Sequence, residues 1–428
     1  MSRSPATAVI ALCFLGACRV GGSSFTASGS SHADSSAIRR DIAYLSSDAL
    51  EGRGTGTPGN DSAAAYIAQR YAALGLRPAE PAFLQHFSAR SVAAMNAGIA
   101  SALPTQNVVA ILRGSDPRLA GQYVVLGAHF DHLGRSSFGA LDQEAVTAIR
   151  HGADDNASGT AAVLELGRLL ARHPPRRSVV LANFTGEELG LLGSQYFVDH
   201  SPVPLDSVVA MLNFDMVGRL RSGRLLVYGV ATATELPAIV HDANVATPLD
   251  LKALGDGYGP SDHSSFYARG IPVLHFFTDL HEDYHRASDV VDRIQAGGEA
   301  RVVDYAERVT RSIADRPARL TFVRSAVVST ASSGSGSGYG PYFGSIPDMA
   351  AADVPGVRVT GVRAGSPADR AGLLAGDVIV EFGGTPVKDL YAYTDALRAH
   401  KVGDVVPVVV TRDGRRVTLT ATLEARKE

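Results

Sequence analysis

At 428 residues the chain exceeds the roughly 100–200 of one ordinary domain, so a large domain and a smaller one are expected. With 45% apolar and 19% charged residues it can bury a sizeable core. A formal net charge of −3 with no basic block excludes a nucleic-acid-binding face, and no acidic block marks a disordered tail.

The N-terminus reads as a targeting segment. Arg3 supplies a weak positive region, and residues 6–15 form an apolar run of signal-peptide length, far short of the ~20 residues that span a bilayer. The run ends in Leu15-Gly16-Ala17-Cys18, which resembles the lipobox of bacterial lipoproteins. That resemblance implies a lipoprotein signal peptide over 1–18 and a lipid on Cys18. The product would be an exported protein anchored to a membrane and facing the periplasm or cell exterior. Arg19 points to the outer membrane where two membranes are present, since Asp is the usual retention signal there. Cys13 and Cys18 are the only cysteines, so the mature chain holds no disulfide. Residues 19–37, rich in Ser and Gly, read as a flexible tether.

From Ile38 the pattern turns helical, with Ile38, Ile42, Leu45 and Leu50 at helix-like spacing. Glu51-Gly52-Arg53-Gly54-Thr55-Gly56-Thr57-Pro58-Gly59 is too rich in glycine for helix or strand and reads as a shaped loop. Asn60 or Asp61 can cap the next helix, which runs through Tyr66, Ile67, Tyr71 and Leu74 to a stop at Gly75. Residues 78–104 give no decisive pattern. Beyond them, short β-rich apolar runs at 107–112, 123–128, 178–184, 208–214, 225–230 and 271–277 alternate with helical patterns at 157–172, 189–199, 236–244 and 299–313. The alternation predicts an α/β fold, a three-layer α/β/α sandwich on a mixed, mostly parallel sheet spanning residues 38–325. In such folds sites gather at the carboxyl ends of strands. A Ser/Gly-rich linker at 326–340 separates this domain from a smaller one at 341–428.

Polar clusters follow the predicted strands directly. Gly127-Ala128-His129-Phe130-Asp131-His132, Gly152-Ala153-Asp154-Asp155-Asn156 and Thr185-Gly186-Glu187-Glu188 bring together His, Asp and Glu, the residue types that hold zinc. His129 and Asp131 point to the same side of extended backbone, so one can bind metal while the other orients a ligand. Asp155 could lend one oxygen to each of two ions. Glu187 and Glu188 diverge, so one can coordinate while its neighbour stays free as a base. Asp215, at the end of a strand, and His285, in Asp283-Tyr284-His285-Arg286, complete the set.

In this order, and with the early loop at 45–56, residues 40–315 resemble the co-catalytic zinc aminopeptidases, the bacterial leucyl aminopeptidase-like metallopeptidases whose relatives include the glutaminyl cyclases. The resemblance implies two zinc ions, with cobalt or manganese as possible substitutes. His129 and Asp215 would hold one ion and Glu188 and His285 the other, with Asp155 bridging them and a cis peptide after it. It further implies Asp131 as the orienting carboxylate, Glu187 as general base, Tyr284 as oxyanion donor, and removal of N-terminal residues from peptides. His132, His151, His263 and His281 are set aside as neighbours, and Asp154 as the lesser candidate for the bridge. A glutaminyl cyclase, a carboxypeptidase using Arg53, Arg219 or Arg269 to hold a carboxylate, and an inactive binding protein are the alternatives on the same fold.

The C-terminal residues resemble a PDZ domain. Tyr342, Phe343 and Gly344 match the loop that accepts the terminal carboxylate of a protein partner on backbone N–H groups. A strand at 357–362, a helix capped by Ser366, a groove helix at 390–400 and a hairpin turning at Asp413-Gly414 complete that pattern.

Overall fold

The computed structural model describes Met1 and residues 32–90, 102–324 and 341–424, apart from positions 137–138, 143–144, 146, 247, 256, 348–355, 363–364, 389–391, 394–395 and 398. The lipobox with Cys18 and the 326–340 linker lie outside the described residues, as does part of the expected groove helix. The chain divides into Met1–Ser31 and His32–Glu428. No helix among the described residues is long and apolar enough to cross a membrane.

Helix α1 (Ser35–Leu45) starts ahead of Ile38 because the Asp34 carboxylate accepts from the backbone N–H groups of Ser36 and Ala37. The N–H of Ala33 also bonds Asp304, and that of Asp34 bonds Glu165. Residues 32–37 therefore belong to the fold, and the tether expected over 19–37 gives way to ordered chain before its predicted end. Helix α2 (Pro58–Ala73) is capped by Thr57, whose hydroxyl accepts from the N–H of Asn60, with Pro58 in the first turn. This corrects the expected cap at Asn60 or Asp61. Asn60 is instead buried, and its side chain donates to the Arg53 carbonyl.

The large sheet has nine strands: β1 (Arg77–Pro78), β2 (Leu84–Ala89), β3 (Leu103–Leu112), β4 (Tyr123–His129), β5 (Ser178–Phe184), β6 (Val208–Phe214), β7 (Arg224–Tyr228), β8 (Asp250–Ala253) and β9 (Val273–Phe277). Their order is β1-β3-β5-β4-β6-β9-β7-β8, with β2 alongside β3. The central run β5-β4-β6-β9 is parallel, and antiparallel pairing begins on either side of it, at β3 and at β7. The segment at 78–104 that carried no clear pattern thus supplies an edge strand and the start of β3.

Side chains alternate between two buried faces, which is why the central strands read as unbroken apolar runs. Val124, Leu126 and Ala128 join a core with α1, α2, α3 (Gly159–Arg172), α5 (Leu236–Val245) and α7 (Ala296–Ala314). Val125, Val180, Ala182, Met211 and Val273 face the other way, onto Phe197 of α4 (Leu192–Asp199) and Phe266 of α6 (His263–Ala268). Helices therefore cover both faces, giving the three-layer sandwich.

The C-terminal residues form a separate six-stranded sheet with its own core of Phe343, Ile379, Phe382, Val408 and Tyr393. Ser366 caps the helix Pro367–Arg370 by accepting from the N–H of Asp369. Asp413 and Gly414, at φ 49° and 76°, join Val405–Arg412 to Arg415–Thr422 in the two-residue turn with both φ values positive. Gly344 sits at φ 94°, where a Cβ would lie 2.3 Å from the Ser366 Cβ, so only glycine fits there.

The glycine-rich loop is fixed from inside by Arg53, which is fully buried. Its guanidinium donates to the carbonyls of Phe130 at 2.8 Å, His151 at 2.7 Å, Gly152 at 2.9 Å and Leu45. Burial brings its pKa down to about 10, so it stays charged at neutral pH. Arg53→Met keeps most of the apolar stem but strands four buried carbonyls. It should cost about 3 kcal/mol, read as a fall of roughly 5–10 °C in the thermal unfolding midpoint of the full chain.

Candidate metal centre

The parallel strands deliver the polar clusters to one place. His129 is the last residue of β4, and Asp215 follows β6 directly. Glu187 and Glu188 come just after β5, reached through Thr185-Gly186. His285 lies in the loop beyond β9, held at φ 54° in the left-handed region that a β-carbon disfavours. Asp155 belongs to the turn Ala153–Ser158 that leads into α3, and its peptide bond to Asn156 is cis, as the resemblance implies.

The side chains form a row. His129 Nε2 stands 3.5 Å from Asp215 Oδ1 and 3.3 Å from Asp155 Oδ1. His285 Nε2 stands 3.1 Å from Asp155 Oδ2 and 3.3 Å from Glu188 Oε2. Asp155 therefore turns one oxygen to each half of the row. Two donors on one tetrahedral zinc, each about 2.1 Å from it, are about 3.4 Å apart. The four spacings match that value and exceed the ~2.7–2.9 Å of a charge-assisted hydrogen bond.

His132 is the residue the sequence reading set aside and the structure brings in. Its donor atom, with those of Asp155 and Glu188, falls in a group lying within 4.8 Å of one another, so it competes with His285 for a place in the ligand set. Spacing decides against it: His132 Nδ1 is 2.7 Å from Glu188 Oε1, a hydrogen-bond distance too short for two ligands of one ion. It orients Glu188. The other set-aside residues lie off the row. His151 meets Asp48 at 2.8 Å, and His281 meets Asp154 at 3.1 Å. The ring of His263 stacks on His275 at 4.4 Å. Asp154 also accepts from the N–H of Gly218, which turns its carboxylate away from the row.

Electrostatics fit a cation. No ion pair among the described residues joins Asp155, Glu188 or Asp215 to a Lys or Arg, and Asp215 Oδ1 is a buried oxygen without a hydrogen bond. Burial alone would raise Asp155 and Glu188. Against it, contacts to His129 and His285 hold Asp155 well below the usual carboxylate range, and His285 and His132 bring Glu188 down to about 2. Burial likewise opposes charge on His129, yet Glu187 and Asp215 push that imidazole well up. Glu188 and Asp155 do the same for His285. A divalent cation would compete with protons for these imidazoles and carboxylates.

Around the row stand the groups that hold it. Asp131 accepts from the Thr55 hydroxyl at 2.8 Å and from the Glu187 N–H at 3.2 Å. Its carboxylate is 3.7 Å from His129 Nδ1, while its carbonyl oxygen is closer, at 3.2 Å. Asp131 thus positions Glu187 as much as the imidazole. The Glu187 carboxyl is pushed well up by burial and by Glu188, Asp262 and Asp215, with His129 opposing. Tyr284 stacks on the His285 ring at 3.8 Å.

Two further residues lay beyond sequence reasoning. Ser261 donates to Asp215 Oδ2 at 2.8 Å and itself accepts from Asn213 at 2.8 Å. Asp289 Oδ2 accepts from the N–H groups of Asp154 and Asp155, both at 3.0 Å, while Oδ1 accepts from Arg219 at 2.8 Å. Arg219 also reaches Asp283 at 2.6 Å, so one buried ion pair system ties together the turn of Asp155, the chain after Asp215 and the loop of His285.

The profile of Peptidase family M28 matches residues 107–310, and that of the PDZ domain matches residues 325–423. Leupeptin-inactivating enzyme 1 of Streptomyces exfoliatus is 32% identical over 175 residues, 40% of this chain and 35% of that protein. Aminopeptidase YwaD of Bacillus subtilis is 31% identical over 153 residues, 33% of each. The chain thus spans about a third of the length of these relatives. Among solved structures, BSAP, a zinc aminopeptidase from Bacillus subtilis, shares the fold with a TM-score of 0.55 at 18% identity, over 68% of this chain and 99% of that one. Residues 107–310 are a domain of Peptidase family M28, and a PDZ domain follows it in the same chain.

Proposed function

We propose that the large domain is a zinc-dependent aminopeptidase that removes N-terminal residues from peptides. The observation that carries this reading is the row of 3.1–3.5 Å spacings from Asp215 to Glu188, which suits two ions sharing Asp155. His129 and Asp215 would hold one ion, His285 and Glu188 the other. Such a pair, when bound, lowers the pKa of water and polarises the scissile carbonyl.

The protein supplies the proton transfer. Glu187 is tethered through its N–H to Asp131, and burial raises its affinity for a proton. It takes the proton of the attacking water on a carboxylate oxygen and returns it to the nitrogen of the leaving peptide, work worth roughly 10²–10⁴ in rate. Tyr284, against His285, donates to the oxyanion. The free N-terminal amine of the substrate is a cation drawn to the same acidic surround. A carboxypeptidase would need a free arginine instead. Arg53 is spent on buried carbonyls, Arg219 on Asp283 and Asp289, and Arg269 pairs with Asp199.

The PDZ domain would dock protein C-termini, with the carboxylate held at Tyr342, Phe343 and Gly344. Lipid on Cys18 would hold the enzyme at a membrane surface.

Glu187→Gln keeps the shape of the base and removes its function. It should lower kcat on aminoacyl anilides at least about 10²-fold with zinc content unchanged; wild-type turnover in this variant contradicts the assignment. Asp289→Asn leaves every proposed ligand in place but weakens the hold on the Asp155 turn. Zinc affinity, measured by chelator competition, should drop about 10–100-fold.

A further inference from the structure

Two apolar surroundings flank the row of ligands, one at each end. Beside Asp215, Met216 packs with Leu226 and Phe277, all buried, and the partly buried Tyr228, Leu280 and Tyr284 pack against them. At the other end a cavity of ≈ 300 Å³ begins at buried Glu188 and His132. Leu103, Leu133 and Leu189 line it, and it runs out to Glu51 and Arg135. These last two are exposed and form an ion pair at 3.2 Å. The volume lies at the low end for small-ligand sites, suited to one side chain.

An enzyme that cuts after the first residue needs a blind recess for that residue and an open path for the remainder of the peptide. The Met216 side is a compact apolar cluster of three buried side chains with three partly buried ones packed against it. The Glu188 side opens to solvent past Glu51 and Arg135. We propose that the cavity between Glu188 and the Glu51–Arg135 pair receives the side chain of the second substrate residue, and that its three leucines select a branched aliphatic side chain there. The rest of the peptide leaves past the exposed Glu51–Arg135 pair. This rests on the aminopeptidase reading and adds a specificity that reading does not contain.

Gly54 offers a direct test because it lines the cavity without a left-handed φ, and an added Cβ meets only ordinary contacts, the nearest being Thr57 Cγ2 at 3.5 Å. The full-length zinc-loaded chain is assayed on Leu-Gly-Gly, Leu-Leu-Gly and Leu-Phe-Gly, and the ratio of kcat/KM between second residues is the readout. Wild type should favour Leu over Gly by about 10-fold or more, the usual worth of filling a hydrophobic pocket. Gly54→Leu fills the cavity and should collapse that ratio about 10-fold. Leu103→Ala enlarges it and should move the preference to Phe. Selectivity between Leu and Ala as first residue should not change in either variant.

Second-residue ratios within 2-fold of wild type in both variants overturn the proposal while leaving the aminopeptidase reading intact. A shift in first-residue selectivity overturns it too, by assigning the cavity to that residue. A zinc-loaded chain that cleaves none of the three peptides overturns both readings.

Discussion

The structure depends on the crowding of Asp155, Glu188 and Asp215, acids that would repel one another in a poorly hydrated site without positive charge between them. The parallel run β5-β4-β6-β9 brings them together, because every strand in it ends on the same side and hands its next residues to the same crevice. His129 and His285 offset the charge, and the spacing they keep leaves room for cations. Asp289 with Arg219 carries the remaining burden, holding backbone N–H groups and three separate loops in register.

The loop from Glu51 to Thr57 has three roles within a few residues. Arg53 pins it to four carbonyls, among them those of Phe130 and Gly152 beside the ligands. Thr55 fixes the carboxylate that positions Glu187, and Gly54 walls the cavity at the Glu188 end. A glycine-rich segment of this kind gains its order from one buried guanidinium, which is why it can pass so close to the ligands without a helix or strand of its own.

Much of this was legible in the sequence. The central strands showed as apolar runs because both of their faces are covered, and His129, Glu188 and Asp215 stood out because they follow such runs closely, whereas Asp155 sits in a turn before a helix and His285 in a loop well past β9. The five proposed ligands and Glu187 do converge in space. What escaped was held by partners distant in the chain. His132 looked like a neighbour of His129 until Glu188, 56 residues later, came within 2.7 Å of it. Ser261 reaches back 46 residues to Asp215, and Asp289 reaches back 134 to Asp155. The early boundary at His32 was hidden likewise, since the contacts that order it are made to Asp304 and Glu165.

Two cations sharing Asp155 are what the proposed chemistry requires. Anomalous diffraction from zinc-loaded crystals, recorded at the zinc absorption edge, tests this most directly. Two peaks are predicted, one among His129, Asp155 and Asp215 and one among Asp155, Glu188 and His285. A single peak, or a second peak bonded to His132 instead of His285, would contradict it.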